Sequence, residues 1–184
     1  MDHNGRRVRR AGALLLSLLF LTVLGAGGTA AYLADRTDPL RNEFAPAQVS
    51  CAVTETFDGE TKREVSAVNR SDIDVYIRVK LVSYRVNEAG EHIGGAAAVP
   101  SFTPGENWVA YEGHYYYTLP VAPGERPAAD LIDRMELTSV YDDADGGRQA
   151  VEVMAEAIQS EPARAVGESW GVAVEPGRVT AYVG

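Results

Sequence analysis

The run Asp142-Asp143-Ala144-Asp145-Gly146-Gly147, with Glu152 downstream, is the one place where carboxylates are spaced as a bound cation would need them. Counted from Tyr141, it puts Asp143, Asp145, Gly146 and Glu152 at the third, fifth, sixth and twelfth positions of a calcium loop. The first position, where such loops carry Asp, is Tyr141. A solvated acidic turn is therefore expected, and weak calcium binding at Asp143 and Asp145 stays open. His92 and His114 stand alone in turns, and the sequence has neither His-Glu-x-x-His nor Gly-x-Ser-x-Gly. Cys51 has no neighbouring base to activate its thiol and reads as a small core residue. No catalytic residue, metal ligand or cofactor site is assigned. The remaining chemistry is of contact: Trp108, Tyr111 and Tyr116, among Tyr115 and Tyr117, could present an aromatic patch to a carbohydrate or a partner. In an alternating strand, either Tyr115 and Tyr117 or Tyr116 must point inward. Asn69-Arg70-Ser71 is a formal glycosylation sequon.

The elements that would hold these residues are strands. Val49 to Phe57 alternates apolar and polar, with Val49, Cys51, Val53 and Phe57 facing in, and Asp58-Gly59 turns the chain into a second alternating run from Lys62 to Asn69. Ile73 to Val86 is the clearest strand, with Val75, Ile77, Val79 and Leu81 on one face. Short aromatic strands follow at Trp108–Tyr111 and Tyr115–Leu119, then an alternating run from Leu131 to Tyr141. Gln149 to Gln159 fits helix or strand, and the company of strands favours strand. A short helix is expected over Arg164 to Trp170, and Val172 to Val183, punctuated by Pro176 and Gly177, reads as a tail. Many short strands separated by turn signals, without strand–helix–strand spacing, predict an all-β antiparallel sandwich with one short C-terminal helix.

The 184 residues suffice for one domain. With 17 basic against 26 acidic residues, a net charge of -9 argues against nucleic-acid binding. One cysteine excludes an intramolecular disulfide, and with three histidines it makes no zinc array. The charge is unevenly spread. Arg6, Arg7, Arg9 and Arg10 precede an uncharged stretch from Ala11 to Ala34, strongly apolar as far as Leu24. This is a basic segment followed by an apolar one of secretory-signal length, expected to form a helix. Gly25 to Ala31 is built of small residues, and cleavage is placed between Ala31 and Tyr32, with Thr29 and Ala31 as the small residues before the cut. Uncleaved, the same stretch would be the chain's one membrane anchor. The expected organisation is a signal peptide over 1–31, a flexible polar arm over 32–46, the sandwich over 47–172 and a tail over 173–184.

Several segments resemble a known family. Gly27-Gly28-Thr29-Ala30-Ala31-Tyr32-Leu33-Ala34-Asp35 is similar to the junction cut by the SipW-type signal peptidase of Gram-positive bacteria, and Asn42-Glu43-Phe44 to the segment opening the mature domain there. Further likenesses lie in Val68–Val79, Asn107-Trp108, Tyr115–Tyr117, Leu119–Glu125 and Ala155–Gln159. Together they cover most of the chain beyond the cut and resemble the TasA and camelysin family of biofilm matrix proteins. The resemblance implies a jelly-roll sandwich, secreted to the matrix or cell surface, that joins itself or a related matrix subunit in fibres. In such fibres the arm of one subunit adds a strand to the next, with Leu33, Leu40 and Phe44 as the inserted side chains and a signal peptidase as the partner during export. Some camelysin-like members carry a metalloendopeptidase label, but the zinc-ligand motif this would need is missing here. A monomeric surface adhesin using the aromatic patch is the third reading.

Overall fold

A computed structural model describes residues 48–184; the signal segment, the cleavage pair Ala31 and Tyr32, and Leu33, Leu40 and Phe44 of the arm lie outside the described residues. Among the described residues ten strands and one helix follow in the order β1 (Cys51–Phe57), β2 (Thr61–Asn69), β3 (Val75–Val86), β4 (His92–Ile93), β5 (Trp108–Tyr111), β6 (His114–Val121), β7 (Ile132–Glu136), β8 (Arg148–Gln159), α1 (Arg164–Trp170), β9 (Val172–Glu175) and β10 (Arg178–Ala181). Every pairing is antiparallel. The all-β expectation holds, as do the expected strand over 149–159 and the helix over Arg164–Trp170. Among the described residues no helix is long and apolar enough to cross a membrane.

Strands β1, β2 and β7 form one sheet; β3 is the spine of the other, with β8 along one edge and β6, β5 and β4 on the opposite edge. The two sheets meet on one core. Val65 and Ala67 of β2 and Ile132 and Met135 of β7 face Val75, Ile77 and Val79 of β3, Tyr117 of β6 and Val151 of β8. The alternation along β3 produces this directly, because its even-numbered residues Tyr76, Arg78 and Lys80 point the other way. Each fully buried Val or Ile stabilises the fold by roughly 1.5–3 kcal/mol.

Strand β1 departs from expectation. It starts at Cys51, none of its residues is fully buried, and Val49 and Phe57 are exposed. The register slips between Thr54 and Thr56, where β2 carries an extra residue around Glu64 at φ +52°, so Phe57 pairs one position out of the register set by Cys51 and Val53. Phe57 instead lies under the Lys62 ammonium, 5.0 Å from the ring centre, and Lys62, itself buried, pairs with Glu55 at 2.6 Å.

The segment read as a tail is structured. Glu175-Pro176-Gly177-Arg178 turns β9 back on β10, with Gly177 at φ +71°, and the Gly177 N–H donates to Thr118 Oγ1 of β6 at 2.9 Å. Helix α1 ends at Gly171, in the left-handed conformation, whose N–H donates to the Gly167 carbonyl. Helix and hairpin form a third layer over the outer face of the β3 sheet, where Val166, Val172 and Val179 close on Tyr116, with Tyr76, Val109, Ile158 and Trp170 around them.

Candidate functional site

The third layer decides the fate of the aromatic patch. Tyr115 and Tyr117 point to the inner face of β6 and Tyr116 to the outer, as the alternation requires, yet Tyr116 and Tyr117 are both buried. Trp108 pairs with Tyr117 in register, packs on its ring at 5.4 Å and donates its indole N–H to the Ala129 carbonyl at 2.8 Å. Tyr116 lies on the opposite face beneath Trp170, 5.9 Å away edge-on. Tyr111 is half-buried at the margin of the same outer cluster. Trp108, Tyr111 and Tyr116 therefore form no exposed surface patch, because two of them are core on opposite sides of one sheet. Trp170 is half-buried over this cluster: Arg78 stacks on its ring at 4.6 Å and donates through Nε and Nη2 to Glu156 at 2.8 and 2.6 Å.

The acidic run is held by an internal cation. Arg85, at the end of β3 and buried, donates through Nη1 and Nη2 to the two carboxylate oxygens of Asp143 at 2.6 and 2.7 Å, while its Nε donates to the Ala96 carbonyl at 2.8 Å. Its guanidinium lies 3.6 Å from the centre of the Tyr141 ring. The backbone N–H groups of Asp145 and Gly146 also donate to Asp143 Oδ1. The hydrogen bonds from Arg85, with the two backbone N–H groups, hold the Asp143 carboxyl down at about 2, and Asp143 in turn raises the Arg85 guanidinium. Glu152, the residue that would close a calcium loop, sits in β8 opposite Val82. An arginine thus stands where the loop reading places a cation, and the turn clamps β3, the loop before β5 and the loop before β8 together.

Two buried amides that the sequence reading did not single out as structural fasten the ends of the sandwich. Asn69, the sequon residue, donates from Nδ2 to the carbonyls of Ile73 at 2.8 Å and Val121 at 2.9 Å, and its Oδ1 accepts the Ser71 N–H at 2.8 Å. It is fully buried, so its amide is committed inside the fold. Gln149 does the same at the far end, donating to Ser83 Oγ and the Ala98 carbonyl and accepting from Thr138 N–H. The signal for both is a polar amide beside a core strand, which alone does not distinguish a tie from a surface residue.

The histidines stay apart: His92 packs edge-on against Tyr84 at 5.4 Å, and His114 Nδ1 lies 3.3 Å from the Glu112 carbonyl. Among the described residues no three His, Cys, Asp or Glu side chains converge. Cys51 is half-buried, and desolvation, with a smaller contribution from Glu156, pushes its thiol up. An open groove of about 440 Å³ runs past Val86, Glu88, Ser139, Val140, Gly147 and Arg148. It gathers no nucleophile and base. What the architecture does leave available is backbone: among the described residues β8 pairs only with β3, and β1 only with β2. Comparison with family models, curated proteins and solved structures finds no match to this chain.

Proposed function

We propose that this protein is a secreted structural subunit or accessory of an extracellular matrix fibre, built on a jelly-roll winding of its two sheets and joined to its neighbours by donation of the arm over residues 32–44. The observation that carries this reading is an antiparallel body with unpaired strand edges and no gathered catalytic constellation among the described residues. Such an edge offers a row of N–H and C=O groups to any extended chain that can reach it. The likeness of the junction around Ala31 and Tyr32 to that of TasA and camelysin supports it, since a cut there would free the arm. The acidic balance keeps separate bodies soluble until strands engage.

The test is electron microscopy of the secreted protein with and without residues 32–44. Filaments that disappear with the deletion support arm exchange. Filaments indifferent to it refute the mechanism, and a protein that never polymerises, alone or beside a related subunit, refutes the role.

A further inference from the structure

We infer that the acceptor for the donated arm is the outer edge of β8, and that the arm comes from a second copy of the chain; this rests on the strand-donation reading above. Folded proteins blunt their sheet edges with brevity, charge, bulges or proline, so an edge without these devices is the one open to a partner. Strand β7 is five residues long, with Asp133, Arg134 and Glu136 exposed along it. Strand β5 is four residues, ended by the Glu112-Gly113 turn, and β4 is two. Strand β1 carries the register slip at Thr54–Thr56. Strand β8 carries charge as well, with Arg148, Glu152 and Glu156 exposed, but Glu156 is held by Arg78 of β3 and the strand has none of the other protections. It runs for twelve residues in unbroken register with β3, without proline or bulge, and its outer side has no ladder partner among the described residues.

The side chains along β8 look unfinished in the same place. Its core-facing row passes from buried Val151 to Val153, Ala155 and Ala157, which pack against the core but remain half-buried. Strand β1, whose Cys51 and Val53 are also half-buried, approaches β8 within 8 Å between Cα atoms without ladder hydrogen bonds.

The arm suits that edge in length and pattern. Residues 32–44 extended at roughly 3.3 Å each span about 43 Å, against about 40 Å for the twelve residues of β8. Leu40 and Phe44, an even number of positions apart, fall on one face of an extended chain, the face that would meet the alanine row. Pro39 is tolerated because a strand added at an edge has one bonded side, and its missing N–H can face away from β8. The described chain enters β1 beside this same seam.

Hydrogen exchange on the mature chain, compared between dilute monomer and assembled filament, tests this. The amides of residues 150–157 that face away from β3 are expected to slow by about tenfold or more on assembly. Ala155→Lys, an inward-pointing charge on the edge, is expected to abolish assembly, and Ala110→Lys on β5 to leave it as in the parent. If Ala155→Lys fails to fold, the exchange pattern of the parent decides alone. Protection appearing on β1, β5 or β7 with β8 unchanged overturns the inference while strand donation survives; so does β8 already protected in the monomer by its own arm, or normal assembly of folded Ala155→Lys. Failure of the parent to assemble, or assembly undiminished by deleting 32–44, overturns the reading beneath it.

Discussion

Replacing Asn69 by alanine removes one buried amide and strands three groups: the carbonyls of Ile73 and Val121 and the N–H of Ser71. Asn69 has no exposed surface, so water reaches the orphans only if the structure opens. Each buried group left without a partner costs about 1–3 kcal/mol. With partial relaxation the sum falls near the lower end, about 3–5 kcal/mol, a large part of a typical domain's stability. At about 3–5 °C per kcal/mol for a body of this size, Asn69→Ala should melt roughly 10–20 °C lower. Urea unfolding followed by tryptophan fluorescence measures it, with the slope against denaturant expected to stay at its parent value. Asn69→Asp sharpens the test, because it keeps the shape but turns a carboxylate oxygen toward two carbonyls. It should be at least as damaging at neutral pH and partly relieved in acid, where the protonated oxygen can donate again. A loss below about 1 kcal/mol for both variants, comparable to a surface control such as Thr56→Ala, would refute the claim that this amide ties the end of the sandwich.

Asp143 titrates at about 2, below the unfolded value, so its contribution to stability is complete above about pH 4 and lost as pH falls toward 2. Asp143→Asn should flatten that part of the stability–pH curve measured by thermal melts, and an unchanged acid limb would count against the Arg85 clasp. Gly147 sits at φ +81°, and a Cβ there would lie 2.5 Å from Ile93 Cδ1 and 2.8 Å from the Val86 carbonyl oxygen. Gly147→Ala should therefore cost at least about 1–2 kcal/mol in denaturant titration, from the left-handed conformation alone. Truncation after Gly171 should uncover Tyr116 and Trp170 without unfolding the sheets. The expected readout is a red-shifted tryptophan emission and new dye binding with strand circular dichroism retained, and unchanged emission would speak against the third layer. Cys51 should alkylate more slowly than free cysteine at pH 8, since burial raises its thiol; an equal rate would contradict its place in the seam.

What could be read from the sequence followed local periodicity. The alternation of Val75, Ile77 and Val79 and the span Arg164–Trp170 needed nothing beyond their own neighbourhood. The errors arose where a distant element intervened. Tyr115–Tyr117 obeys its alternation, but both faces are covered because Val172 and Val179 return over the outer one. Pro176-Gly177 punctuates a tail or turns a hairpin with the same two residues, and only the valines on either side, packed on Tyr116, decide it. The acidic run reads as a solvated turn, and the clasp on Asp143 is invisible locally because its counter-charge, Arg85, is 58 positions away along the chain. Phe57 was misplaced for a local reason, a register slip that no alternation count detects.

The pairing of β3 with β8 also bears on how the chain is made. Its nearest register partners, Val86 and Arg148, are separated by all of β4 to β7, so the longest ladder among the described residues closes only after most of the polypeptide is available. Loop closure over such a separation is slow. During synthesis β3 is therefore a ready strand waiting for its mate, exposed to illegitimate pairing with other nascent chains. A cell producing this protein in quantity benefits from keeping it extended and chaperoned until β8 has emerged.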